Sequence, residues 1–171
     1  MKQVILRALE PTDIDAIYHW ENDSSVWEQS MTHTPFSRHL LTQFLMDNSS
    51  NDIYATKQLR LMADDAESSI AVGCIDLYDF DPYHHRAGVG LLIDSRYRKQ
   101  GYGQACLNAL ISFVHQHLQL HQLHCIIAAN NRDSLHTFHQ CGFLDRGLLP
   151  HWIHHSDGWI DAIVLSLIIE K

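Results

Sequence analysis

Apolar positions along the chain fall into two spacings, and their order predicts the architecture. Val4 to Leu9 reads as a short strand. Thr12-x-x-Asp15 resembles a capping box, with Asp in the usual Glu position. Ile14, Ile17 and Tyr18 then give one helical face. Ser37 is a candidate N-cap for a second helix, where Leu40, Leu41, Phe44 and Leu45 recur at helical spacing. Ile53 to Met62 and Ile70 to Leu77 read as two strands of a hairpin, separated by the polar run 64–69. A second turn spans Asp79 to His85, and Arg86 to Ile93 is a fourth strand. Gly88 and Gly90 lie inside that strand, where glycine signals a bulge or a close backbone approach.

The second half of the chain continues the alternation. Leu107, Leu110, Ile111, Val114 and Leu118 mark one face of a longer helix. Leu123 to Ala129 is a short apolar strand, and Ser134 to Cys141 a short helix closed by Gly142. Phe143 to Ile153 and Trp159 to Ile169 form a final antiparallel pair around Ser156-Asp157-Gly158. The order β-α-α-β-β-β-α-β-α-β-β predicts one mixed α/β (α+β) domain over residues 1–171, with about seven strands and about four helices.

Composition narrows the function class. With 46% apolar and 19% charged residues the chain reads as globular. A formal net charge of −8 argues against nucleic acid as a partner and fits a cationic substrate. No apolar run is long enough to cross a bilayer, and the N-terminus lacks the apolar core of a signal peptide. Four scattered cysteines without a CxxC pair suit a reducing, cytoplasmic setting. Fourteen histidines raise the question of a metal site, but no HExxH or Cys/His zinc spacing supports one. They read instead as solvated loop and helix-face residues.

The candidate chemistry begins at Arg98-Lys99-Gln100-Gly101-Tyr102-Gly103, which links the fourth strand to the longer helix. A helix N-terminus offers unpaired N–H groups and partial positive charge, and glycine lets the backbone approach a phosphate. Neither the dinucleotide GxGxxG pattern nor the Walker GxxxxGK[ST] pattern is present. About thirty residues later the chain reads Asn131-Arg132-Asp133-Ser134-Leu135-His136-Thr137-Phe138-His139-Gln140-Cys141-Gly142-Phe143.

Together these two elements resemble the GNAT superfamily of N-acetyltransferases, with its [QR]xxGx[GA] and NxxAxxxYxxxGF motifs. Leu6-Arg7-Ala8-Leu9-Glu10, Trp20-Glu21-Asn22-Asp23 and the run from Trp159 to Leu167 with Asp161 are similar to its ribosomal-protein and polyamine acetyltransferase branch. The resemblance implies a sheet splayed between the fourth and fifth strands, with acetyl-CoA as acyl donor. It implies that Leu91, Leu92 and Ile93 offer backbone groups to the pantetheine arm. Arg98, Lys99, Gln100, Gly101, Tyr102, Gly103 and Gln104 would surround the pyrophosphate, while Asn131, Ser134 and Phe138 would line the far side. It also implies a primary-amine acceptor (a polyamine, a protein N-terminus or another small amine) and, commonly, a homodimer.

Two positions depart from the pattern. The family's tyrosine, often the acid for the leaving thiolate, falls on Phe138, and a frequent carboxylate falls on Gly88. An amine with a pKa of about 10.4 is neutral in only about 1 molecule in 2,500 at pH 7, a deficit of roughly 4.6 kcal/mol. A thiol of pKa about 8.5 is by comparison a tolerable leaving group. The base is therefore the harder loss, and Asp76 is the candidate replacement, with His84 and His85 behind it. A polyamine acceptor further predicts that carboxylates converge on it, drawn from Glu21, Asp23, Glu28, Asp76, Asp79 and Asp81. The alternative reading is a non-catalytic CoA-binding regulator, motivated by Phe138 and Gly88.

Overall fold

A computed structural model describes residues 2–27 and 34–169, the side chains of residues 25, 26, 49 and 50 excepted. Strand β1 (Val4–Ala8) leads into helices α1 (Ile14–Glu21), α2 (Ser24–Trp27), α3 (Arg38–Ser50) and α4 (Ile53–Thr56). Three strands follow, β2 (Leu59–Asp65), β3 (Ala71–Asp81) and β4 (Arg86–Ile93). Helix α5 (Tyr102–Phe113), β5 (Gln122–Ala128), α6 (Arg132–Gln140), β6 (Leu144–His155) and β7 (Gly158–Ile168) complete the chain. The seven strands form one sheet in the order β1-β2-β3-β4-β5-β7-β6.

Among the described residues the only parallel pairing is between β4 and β5, and it covers three positions: Arg86 with Gln122, Ala87 with Leu123 and Gly88 with His124. Beyond Gly88, β4 stays paired to β3 as far as Ile93, but its other edge has no partner strand. The sheet is therefore splayed at that point, as the resemblance implied.

Helices cover both faces. On one, Ile17 and Trp20 of α1 and Leu41 and Leu45 of α3 pack on Met62 and Cys74. On the other, Cys106, Leu107 and Leu110 of α5 pack on Ile75, Leu77, Val89, Leu123 and Leu165. Fully burying each Leu or Ile contributes about 1.5–3 kcal/mol, so these two layers hold the sheet flat against its helices. Trp20 also donates its indole N–H to the buried carboxylate of Asp94, at 2.8 Å, tying α1 to the end of β4.

Several local expectations are corrected. The capping box lies two residues earlier than predicted, at Glu10 and Asp13, around a single turn at Pro11–Asp13. Asp13 is preferred because it also receives a bidentate Arg7 guanidinium, both contacts 2.8 Å. Residues 53–56, expected to be strand, form one helical turn. Asp52 caps it by accepting from the Ala55 N–H, and Lys57 ends it at φ 59°. β2 thus starts only at Leu59. Four longer helices, α1, α3, α5 and α6, match the expected number among the described residues, and the single turns α2 and α4 are additional. β3 extends to Asp81, so the turn predicted from Asp79 begins later. The long helix loses α-geometry after Phe113 and ends in a wider turn, Val114–Leu118. Ser37 caps α3 as expected, accepting from the Leu40 N–H. Gly142 follows α6 at φ +89°, a conformation that favours glycine.

Candidate active site

The loop after β4 is built to leave amides unpaired. Asp94 accepts from the Arg96 N–H and starts the turn Ser95–Tyr97. Arg98 donates its Nε–H to the Ile93 carbonyl at 3.0 Å, and Gln100 donates to the Arg96 carbonyl at 2.9 Å. Lys99 adopts φ 59° and Gly101 φ +90°, with Gly101 at the N-cap of α5. No side chain caps that helix, so the first-turn N–H groups remain available to an anion. Gly103 is where α5 and α6 come close, since a Cβ there would lie 3.2 Å from Thr137 Cγ2 and 3.6 Å from Leu91 Cδ2.

The predicted cofactor residues are thus brought to one end of the gap, but not all by their side chains. The free edge of Leu91–Ile93 faces the splay. Tyr102 turns its ring inward: it is buried and donates to Asp65 at 2.7 Å. That bond is the largest contribution holding the Asp65 carboxyl well below the usual carboxylate range. Only the backbone of Tyr102 is offered to the loop. Lys99 is exposed, 3.7 Å from Asp133. Asn131 caps α6 by accepting from the Ser134 N–H at 3.1 Å. Phe138 is buried edge-on against Phe143, with ring centroids 5.0 Å apart. Beside the loop, a hollow of about 630 Å³ is lined by Lys2, Gln100, Gly101, Gln104 and Asn108.

On the acceptor side, Asp76 lies beside Gly90, whose added Cβ would be 3.5 Å from Asp76 Cβ. Both Asp76 oxygens accept from Arg60, at 2.7 and 2.8 Å, and Arg60 also donates to Glu21 at 2.6 Å. The guanidinium lies over the Phe44 ring, 5.2 Å from its centroid. Burial opposes the charge on Arg60, but its two carboxylates more than offset this and hold its pKa well above the ordinary value. Both Asp76 oxygens are thus occupied by Arg60.

Of the predicted acidic set, Glu21 and Asp76 converge. Asp81 instead accepts the Tyr83 and His84 N–H groups in its turn, and Asp79 is exposed. Glu28 lies outside the described residues. His85 is tied to the Gln119 carbonyl at the turn, and no interaction brings His84 to the gap.

Sequence reasoning missed Tyr78 and His124. They meet edge-on over Gly88, with ring centroids 6.1 Å apart. The signal was present in Gly88, a strand glycine that calls for close approach. What was missing was the strand register that sets Tyr78 opposite it. Burial, followed by Arg86, holds the His124 pKa below its ordinary value, which favours the neutral ring.

Residues 3–144 match the family model described as the acetyltransferase (GNAT) domain. The chain belongs to the GNAT acetyltransferase family. It is an acetyl-CoA-dependent N-acetyltransferase, with acetyl-CoA as the acyl-donor substrate. Two relatives are similar to this GNAT chain. The spermidine N(1)-acetyltransferase of Vibrio cholerae is 22% identical over 151 residues, 86% of this chain and 82% of that one. An uncharacterised N-acetyltransferase of Bacillus subtilis, YnaD, is 21% identical over 99% of this chain and 96% of that one.

Solved GNAT structures share the fold. Vibrio cholerae spermidine N-acetyltransferase in complex with CoA and spermine superposes with a TM-score of 0.88 at 20% identity, covering 98% of this chain and 96% of that one. Ribosomal-protein-S5-alanine acetyltransferase of Vibrio fischeri gives 0.85 at 17% identity, covering 100% and 96%. Among the described residues no helix is long and apolar enough to cross a membrane. Nor does any group of three or more His, Cys, Asp or Glu side chains assemble there as a metal site.

Proposed function

We propose that this enzyme acetylates a primary amine of a small polyamine, holding acetyl-CoA in the gap between β4 and β5. The observation that carries the cofactor half is the free edge of β4, which leads through the 94–101 loop to the uncapped α5 N-terminus. An extended pantetheine arm would take the place of the missing strand, bonded to the backbone of Leu91, Leu92 and Ile93. The N–H groups of residues 99–104 would receive the pyrophosphate, with Arg98 and Lys99 supplying positive charge. Asn131 and Ser134 would border the arm across the gap, and Phe138 would give it an apolar wall.

The polyamine half is supported by the net charge of −8 and by the relatives that act on spermidine. Glu21 and Asp76 share one arginine, so the trio carries a net negative charge suited to an ammonium group. Asp76 would then attract the amine, and would take its proton only by exchanging Arg60 for substrate. Cytoplasmic residence fits the four unpaired cysteines. Self-association would agree with a relative described as dodecameric.

The test is thiol release from acetyl-CoA with spermidine, spermine and an alanine-ended peptide. Turnover of the two polyamines is expected. Peptide turnover without polyamine turnover would overturn the acceptor class. CoA binding without turnover of any amine would favour the non-catalytic regulator. Titration calorimetry with no CoA binding would remove the assignment of the gap.

A further inference from the structure

Tyr78 on β3 faces Gly88 on β4, and Gly88 faces His124 on β5 in the last pair before the two strands part. The three residues make a row across the apex of the gap. A Cβ built on Gly88 would lie 2.2 Å from Tyr78 Cε2 and 2.4 Å from Cζ. Real Cβ atoms do not approach a ring this closely, so the Tyr78 ring already fills the volume that a side chain at position 88 would use. Gly88 is therefore a vacancy occupied from the neighbouring strand. A carboxylate on that residue, common in the resembling family, is excluded here by the ring.

The Tyr78 hydroxyl forms no hydrogen bond with any described residue, and its described contact is the edge-on ring of His124. The residue is half-buried. Part of its surface is therefore open to solvent. Burial pushes its pKa up to about 12, which keeps it a neutral donor throughout the working pH range. On the other side of the gap, the motif position of the family's tyrosine on α6 is the buried hydrocarbon of Phe138.

We propose that Tyr78 is a catalytic residue of this enzyme, donating a hydrogen bond to the negative charge that develops on the thioester as the amine attacks. The inference rests on acetyl-CoA lying in the gap as set out above. An arm running along β4 from Ile93 towards Gly88 brings its acyl end to the apex. There the amine lone pair forms the C–N bond, and the carbonyl π pair moves onto oxygen. The oxygen pair then returns, the C–S bond breaks with its electrons on sulfur, nitrogen gives up its proton to a base, and the thiolate is protonated by solvent.

Tyr78 keeps its proton in this sequence. Passing it to a thiolate whose acid has a pKa of about 8.5 would be unfavourable, because the phenol is the weaker acid and burial weakens it further. Its role is that of an oxyanion-hole donor, strongest where the charge is greatest. This differs from the proton-donating tyrosine that the motif would have put at Phe138.

The test is Tyr78→Phe, measured by thiol release with acetyl-CoA and spermidine, alongside CoA titration and thermal melting. The expected result is a kcat lowered about 100-fold, the loss typical of one such donor, with CoA affinity within twofold and melting unchanged. Gly88→Ala displaces the ring, so it should lower kcat in the parent and have much less effect on kcat in the Tyr78→Phe background. A Tyr78→Phe enzyme with kcat within threefold of an active parent overturns this inference alone. A matching loss of CoA affinity overturns it too, since the residue would then serve binding or folding. A parent inactive with every amine overturns both this inference and the proposed function.

Discussion

Replacing Arg60 by methionine tests whether the Glu21–Arg60–Asp76 trio behaves as a buried network. Methionine keeps most of the stem volume, but removes all three donated bonds and the guanidinium over Phe44. The side chains of Arg60, Glu21 and Asp76 are 16%, 17% and 28% exposed, so none can turn fully into water. Breaking a buried pair from one side costs about 3–5 kcal/mol, because the partner charge stays behind. Against a total stability of about 5–15 kcal/mol this is a large fraction. At about 2–4 °C per kcal/mol for a chain of this size, the midpoint should fall by about 6–20 °C. With a urea slope of about 2 kcal/mol/M, the urea midpoint should fall by about 1.5–2.5 M with its slope unchanged. The variant Glu21→Gln, Arg60→Met, Asp76→Asn should recover most of the loss, since no isolated charge remains. A loss below about 1 kcal/mol would place the trio with ordinary surface pairs and refute the reasoning. So would a triple variant no more stable than the single.

Gly101→Ala forces a side chain into φ +90° at the start of α5 and should cost about 1–2 kcal/mol, read by thermal melting, with weaker CoA binding by calorimetry. His124 has a folded pKa below its unfolded value, so the unfolded chain binds the extra proton first. The enzyme should lose stability as pH falls from about 6.5 towards the folded pKa, and His124→Gln should flatten that slope in melting curves taken from pH 7.5 to 5.5. Burial pushes the thiols of Cys106 and Cys125 up to about 12 and that of Cys141 up to about 11, and Cys74 is driven up further. A thiol-disulfide reagent at pH 8 should therefore react slowly with the native enzyme, while all four thiols should titrate in guanidinium.

The elements with strong periodicity were legible from sequence. Leu107 and Leu110 fixed the buried face of α5, and the Ser37 cap set the start of α3. The segment 53–56 was misread because Ile53 and Tyr54 are apolar and suit a strand. The decision was made by Asp52 as a cap and by a tertiary contact, Tyr54 edge-on to Phe80, which no local rule contains. The same division holds at the site. The turn before α5 and its glycine N-cap at Gly101 were legible because glycine and helix-terminus geometry are local. The partners of Asp76 and Gly88 were not, because both are set by cross-strand register: Arg60 opposite Asp76, and Tyr78 opposite Gly88. Tyr102 illustrates a third case, in which a motif residue sends its ring into the core and leaves only its amide to the loop.

The three-residue seam between β4 and β5 also bears on how the molecule comes apart. The strands on either side, β1 to β4 and β5 to β7, are each stitched by long antiparallel ladders. Across the seam the connection is mainly apolar, through Val89, Leu107, Leu123 and Leu165 in one cluster. Apolar cohesion weakens on cooling far more than a backbone ladder does. Near freezing, the two ladders should exchange their amides as separate units, each retaining protection after concerted opening has been lost between them. A ligand laid along the seam would join the units again, so its binding would restore a single cooperative exchange.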